Sequence, residues 1–232
     1  MKILVTGGAG FIGSNLVRAL VRADYDVIAL DNFSLGTEKN LHNIKNNLRT
    51  VKGNILDSDL LLDLTKNVDI IFNQAAASSS PMFKKNLKEA LSVNIDGFVN
   101  ILNAAKENNV RRVIYASTSS VYGNANPPLR EDMKIEPVNF YASSKLMNEH
   151  LAALYSIEYG LETVGFRYMS VYGPNEESKG IFANLVTQFL WAMQKNEQPV
   201  IYGDGSQSRD FTYVKDVVEA NILAMESKKK LY

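Results

Sequence analysis

Tyr141 and Lys145 stand four residues apart in the stretch NFYASSKLMNEHLAALYS, whose apolar spacing predicts a helix across Ala142–Tyr159. Four residues is a little over one helical turn, so both side chains leave the same face. Together they can move a proton. A phenol with an ordinary pKa of ~10 is a poor base at neutral pH, and an ammonium held beside it favours the phenolate. The pair alone is weak evidence, because 11 tyrosines and 17 lysines in 232 residues yield about one Tyr-x-x-x-Lys by chance. Its place in the chain carries more. It follows a strand-like run, RRVIYAS (111–117), and a hydroxyl-rich stretch, Ser117-Thr118-Ser119-Ser120.

The elements that must position this pair can be read from the hydrophobic pattern. KILV (2–5), DVIAL (26–30), RTVKG (49–53), VDIIFNQ (68–74), RRVIYAS and ETVGFRY (162–168) read as strands. Helices fall between them at 14–23, Ala90–Asn108 and 142–159, the second with Leu91, Ile95, Phe98, Val99, Ile101 and Leu102 on its apolar side. Apolar strands alternating with helices predict an α/β fold, a doubly wound parallel sheet with right-handed crossovers. After Gly173-Pro174 the texture changes to loops, one helix near Ile181–Gln194, and short strands at Val200–Tyr202 and Phe211–Val214. A last helix spans 214–225, and SKKK (227–230) reads as its solvated end.

The opening MKILVTGGAGFIGSNL places Gly7, Gly10 and Gly13 between the first strand and the first helix. Glycines there permit a tight turn, and they let phosphate oxygens reach backbone N–H groups at a helix N-terminus. A glycine-rich turn without a ligand is the plainer reading of that stretch. Asp31 weighs against it. It ends the second strand about 20 residues further on, where a carboxylate accepts hydrogen bonds from an adenosine ribose and repels a 2′-phosphate. The expected cofactor is NAD rather than NADP, on a Rossmann-type domain over residues 1–168. Residues 169–232 form a small, incomplete substrate lobe whose 214–225 helix packs back on the first domain.

Composition narrows the remaining classes. Lys+Arg and Asp+Glu balance at 25 each, so no nucleic-acid or membrane-surface partner is expected. The absence of cysteine excludes disulfides, thiolate metal sites and a cysteine nucleophile. The two histidines, His42 and His150, read as surface or cap residues rather than ligands, and no metal is expected. No run approaches 18 apolar residues and no signal-peptide pattern precedes the first strand, so the expected location is cytoplasmic.

Further motifs follow along almost the whole chain: DNFS (31–34), KGNILD (52–57), NQAA (73–76), SVNIDG (92–97), YASTSSVYG (115–123), YASSK (141–145), FRYMSVYGP (166–174) and GDGSQSRDFTYVKDV (203–217). In this order, with TGGAGFIGSNL ahead of them, they resemble the extended short-chain dehydrogenase/reductase superfamily, and within it the NAD-dependent nucleotide-sugar epimerases and dehydratases. The resemblance implies that Gly7, Gly10, Phe11, Ile12, Gly13, Asp31, Asn32, Asn54, Ile55, Gln74, Ala75, Ala76, Asn94, Ser117 and Tyr168 contact NAD, together with Tyr141 and Lys145. It places Thr118, four residues before Tyr122, as the hydroxyl that holds the substrate oxygen, and Tyr141 as the base that removes a sugar-hydroxyl proton. Lys145 is implied to hydrogen-bond the nicotinamide ribose, and the nicotinamide's positive charge also favours the Tyr141 phenolate. The substrate set it implies is Ser79, Thr118, Ser170, Asn184, Val200, Tyr202 and Arg209, the last gripping a nucleotide diphosphate.

The residues after Thr118 separate the chemistries of this superfamily. Its dehydratases and decarboxylases carry a carboxylate there, whereas this chain has Ser119-Ser120. The implied activity is therefore 4-epimerisation of a UDP-hexose of the UDP-glucose type through a transient 4-keto sugar. The implied assembly is a homodimer joined through the helices near 90–108 and 142–159. Two departures bear on substrate preference: Asn73 where relatives have histidine, and Ser170 where they have asparagine. Relatives also run on past Tyr232, so the sugar pocket is expected to be open, NAD to bind near normally and UDP-sugars weakly. A dehydratase, a decarboxylase and a non-catalytic NAD-binding relative are the competing readings.

Overall fold

Ile3, Leu4 and Val5 have no solvent exposure, because the strand that carries them is covered on both faces. The computed structural model describes residues 1–44, 46–201 and 203–229. It places that strand, β1 (Lys2–Thr6), near the centre of a six-stranded sheet of order β3-β2-β1-β4-β5-β6, every pairing parallel. The other strands are β2 (Asp26–Asp31), β3 (Leu48–Lys52), β4 (Ile70–Asn73), β5 (Arg112–Thr118) and β6 (Glu162–Tyr168). The order reverses between β1 and β4, which opens a crevice at the carboxyl ends of those strands.

The helices are α1 (Phe11–Arg22), α2 (Glu38–Leu41), α3 (Ser58–Leu64), α4 (Ser80–Lys85), α5 (Leu87–Asn94), α6 (Asp96–Glu107), α7 (Phe140–Tyr159), α8 (Leu185–Gln194) and α9 (Val214–Glu226). One face of the sheet packs Leu4, Ile71 and Val113 against Leu61, Phe98, Ile101 and Ala152 of α3, α6 and α7. The other packs Ile3, Val5, Phe72 and Ile114 against Leu16, Val17 and Leu20 of α1 and Val218 and Met225 of α9. Each fully buried Leu, Ile or Phe contributes roughly 1.5–3 kcal/mol. Helix α7 is bounded by Asn139, whose side chain accepts from the Ala142 N–H at 2.9 Å, and by Gly160 in the left-handed region.

Three features differ from the sequence expectation. The single helix over 90–108 is bent at Ile95 (φ −100°) into α5 and α6, because the Asn94 amide beside the bend is tied to Ala77 and Ser144. No strand forms at Val200 or Ile201, and Tyr202 lies outside the described residues. Tyr213 makes only an isolated bridge to Tyr172, and no strand forms over the expected 211–214. Arg112, 1% exposed at the start of β5, reaches from the sheet to the end of α9. Its guanidinium donates to Glu162 at 2.9 and 2.6 Å and to the carbonyls of Ala224, Ser227 and Lys229. Among the described residues, no helix is long and apolar enough to cross a membrane.

Candidate active site

A cavity of about 870 Å³ follows the carboxyl ends of β1, β2, β4 and β5. Its floor is the glycine turn. Gly7 adopts φ +66°, and a Cβ there would sit 2.7 Å from the Ala75 nitrogen. A Cβ on Gly13 would lie 2.0 Å from the Gly7 carbonyl oxygen, so the helix can approach the turn only as glycine. Gly10 caps α1 without a side-chain hydrogen bond, and the first turn of the helix holds no acid. Those leading N–H groups and the positive end of the helix are open to an anion.

Asp31 is 7% exposed and fixed from two sides, accepting from the Ala9 N–H at 2.9 Å and the Phe33 N–H at 2.8 Å. Carboxylate lone pairs remain on the cavity side, next to Asn32, Asn54 and Ile55. At the other end β5 and α7 meet. Lys145, 2% exposed, donates to the Ala116 carbonyl at 2.9 Å. One turn back, Tyr141 packs edge-on against Phe83, with the Thr118 hydroxyl beside its own. Burial raises the Tyr141 hydroxyl above its ordinary pKa, and the Thr118 hydroxyl opposes that shift. In the protein alone, burial is thus the larger influence on the hydroxyl, and the Lys145 ammonium one turn away is bonded to the Ala116 carbonyl.

Below this pair the strand ends are locked together. Glu149, two turns from Tyr141 on the same side of α7, accepts from Ser117 Oγ at 2.5 Å and from Arg167 at 3.0 and 2.8 Å. Ser117 and Arg167 face each other in the β5–β6 register, and Arg167 also donates to the Tyr122 hydroxyl at 2.9 Å. The strand positions that present Ala116 and Thr118 are thus tied to the helix that presents Tyr141 and Lys145.

Most of the expected site residues line this cavity: Gly7, Gly10, Phe11, Ile12, Gly13, Asp31, Asn32, Asn54, Ile55, Gln74, Ala75, Ala76, Ser117, Thr118, Tyr141, Lys145, Tyr168, Ser170, Asn184 and Arg209. Asn94 does not. It is 2% exposed and its amide is bonded to Ala77 and Ser144, which ties the loop after β4 to α5 and α7. Ser79 stands outside the lining at the start of α4, and Val200, 62% exposed, is outside it too. Tyr202 lies outside the described residues. Ser170 sits at φ +33°, a region that asparagine tolerates better than serine. Lys85, Ser178, Lys179 and Phe182 also line the cavity, and no spacing rule marks them, since only the folded chain brings them there.

Residues 3–231 match the NAD dependent epimerase/dehydratase family. The chain belongs to that family. It is 40% identical to the solved UDP-N-acetylglucosamine 4-epimerase from Methanobrevibacter ruminantium, with a TM-score of 0.94 over 99% of this chain and 74% of that one. The UDP-glucose 4-epimerase of Thermotoga maritima, solved with UDP-glucose, is 35% identical with a TM-score of 0.92, covering 97% of this chain and 74% of that one. A UDP-N-acetyl-alpha-D-glucosaminuronate decarboxylase of Bacillus cytotoxicus is 37% identical over 98% of this chain and 72% of its own length.

The cavity of this family member fits the dinucleotide. The uncapped start of α1, the close-packed glycines and the Asp31 carboxylate suit a pyrophosphate and an adenosine ribose. The Gln74 Oε1 atom is buried without a partner in the same cavity. Burial lowers the Lys145 ammonium to about 8. The unfolded chain holds that proton to a higher pH, near 10.5. A charged Lys145 therefore costs stability below pH 8, and the cost fades as pH rises from about 8 to 10.5. Lys145→Met should melt at a higher temperature than the parent at pH 7, with the gap closing toward pH 10.5; a pH-independent gap contradicts this.

Proposed function

We propose that this chain is an NAD-dependent nucleotide-sugar 4-epimerase of the UDP-glucose/UDP-galactose type, acting through a transient 4-keto sugar. The observation that carries the reading is the meeting of Thr118, Tyr141 and Lys145 at one wall of the cavity, beside a strand end that continues Ser119-Ser120. Bound NAD supplies a hydride acceptor, and later a donor, at the sugar carbon. Thr118 holds the reacting hydroxyl and Tyr141 takes its proton; Lys145 and Tyr168 secure the nicotinamide half. Burial holds the Tyr168 hydroxyl up at about 12, so it stays a neutral hydrogen-bonding group there.

Elimination or decarboxylation asks for a carboxylate near the reacting carbon. Among the described residues, the carboxylates lining the cavity are Asp31 and Glu89. Asp31 stands at the adenosine end, and Glu89 is engaged with Asn86 in the cap of α5 at 2.8 Å. Arg209, Ser170 and Asn184 come from residues 169–232, the proposed substrate lobe against a cofactor domain of 1–168. The deciding assay follows UDP-glucose incubated with the NAD-loaded protein. Formation of UDP-galactose supports the reading, and release of water or carbon dioxide from a sugar nucleotide overturns it.

Two predictions accompany it. Asp31 repels a 2′-phosphate, so NAD should bind at least tenfold more tightly than NADP, and Asp31→Asn should narrow that gap; equal affinities in the parent contradict it. A homodimer is proposed through α7, whose Phe140, Met147, Leu154 and Ile157 are 60, 45, 51 and 77% exposed at heptad-like spacing. Light scattering at micromolar concentration should give twice the chain mass, and Leu154→Glu should halve it.

A further inference from the structure

The segment after β6 is fastened to the start of α1. Asn15 donates to the Pro174 carbonyl at 2.9 Å, and Asn175 donates to Ser14 Oγ at 3.0 Å. Within the segment Glu176 has no exposure, accepting from the Asn184 N–H at 2.7 Å and from the Thr187 hydroxyl at 2.5 Å. Asn184 in turn donates to the Val171 carbonyl at 3.3 Å. These bonds fix where Lys179 stands. Its ammonium lies 5.6 Å from the centre of the Phe11 ring, at the first residue of α1, and lines the cavity.

Lys179 is only loosely held. Its contact with Glu176 is 3.4 Å, well beyond a short charge-assisted bond, and Glu176 already has two shorter donors. The ammonium can turn to an anion without leaving a bare buried carboxylate. The other cations among the described residues of the cavity are placed for different work. Lys145 is bonded at the catalytic wall, Arg209 donates to the Ser208 carbonyl on the second-lobe loop, and Lys85 ends α4.

We infer that Lys179 is a phosphate ligand of the dinucleotide, delivered from the second lobe onto a pyrophosphate seated on the glycine turn. This rests on the NAD reading above and adds a residue that the glycine motif does not contain. The glycine turn supplies backbone dipoles alone, and a pyrophosphate carries full charge, so an ammonium lining the same cavity beside Phe11 completes the match. A sugar nucleotide also carries a diphosphate. Contact with Phe11 and pins to Ser14 and Asn15 favour the dinucleotide.

Calorimetric titration of NAD and, separately, of UDP into the parent, Lys179→Met and Lys179→Arg chains tests this. Lys179→Met should weaken NAD by about tenfold, the loss of one charge-assisted contact, and leave UDP unchanged. Its NAD affinity should also fall less steeply than the parent's as sodium chloride is raised. Lys179→Arg should regain most of the loss. Equal NAD affinity in parent and Lys179→Met overturns the inference, as does weaker binding with an unchanged salt dependence, which marks a packing role. A loss confined to UDP overturns it in favour of the substrate's diphosphate. No NAD binding by the parent removes the cofactor reading itself, and this inference with it.

Discussion

Tyr141→Phe should lower epimerase turnover by about 10²–10⁴-fold while NAD still binds. The substitution keeps the ring that packs on Phe83 and removes only the hydroxyl that meets Thr118. The proposed cofactor contacts, at the glycine turn between β1 and α1 and at Asp31 of β2, do not depend on that oxygen. Lost proton transfer is then the whole effect, and it falls on kcat. Because burial raises the phenol's pKa in the protein alone, turnover should also increase with pH until the tyrosine is deprotonated in the ternary complex. Near-normal turnover by Tyr141→Phe, in a chain active to begin with, would sink the assignment of the base.

Arg112→Met should destabilise the fold by about 3–5 kcal/mol, read as a fall in denaturant midpoint. The guanidinium is buried and satisfied on every side, by the Glu162 carboxylate and by carbonyls at the end of α9. Methionine fills a similar volume but leaves those acceptors without donors, including a carboxylate only 22% exposed. Arg112→Lys should recover little, since one ammonium cannot span a carboxylate and a helix terminus together. A change below about 1 kcal/mol would mean that the α9 carbonyls find water at no cost.

The sheet was legible because its strands are short apolar runs with breaks on both sides, and their limits agree to within a residue or two. Helices α2, α3 and α4 were not, being four to seven residues long and held by caps such as Asp57 and Thr37 rather than by a periodic face. The same divide runs through the site. Gly7, Gly13, Asp31, Tyr141 and Lys145 act at fixed offsets from strand ends or along one helix, so spacing reveals them. Lys179 and Glu149 owe their positions to contacts across the fold, and a motif position does not say that the Asn94 amide is bonded to Ala77 and Ser144. Val200 was expected in a strand, but it is 62% exposed and no strand forms there.

The pins from Ser14 and Asn15 to Pro174 and Asn175 give the cavity one fixed jaw. Whatever rests against that jaw moves with the glycine turn, as one rigid piece with the sheet. Further along the chain, past α8, that anchorage is left behind, and Val200, Ile201 and Phe211 are exposed. Entry and exit on that side need not disturb the floor. In the proposed epimerase, a sugar released and turned on that side would pass over a dinucleotide seat that stays fixed.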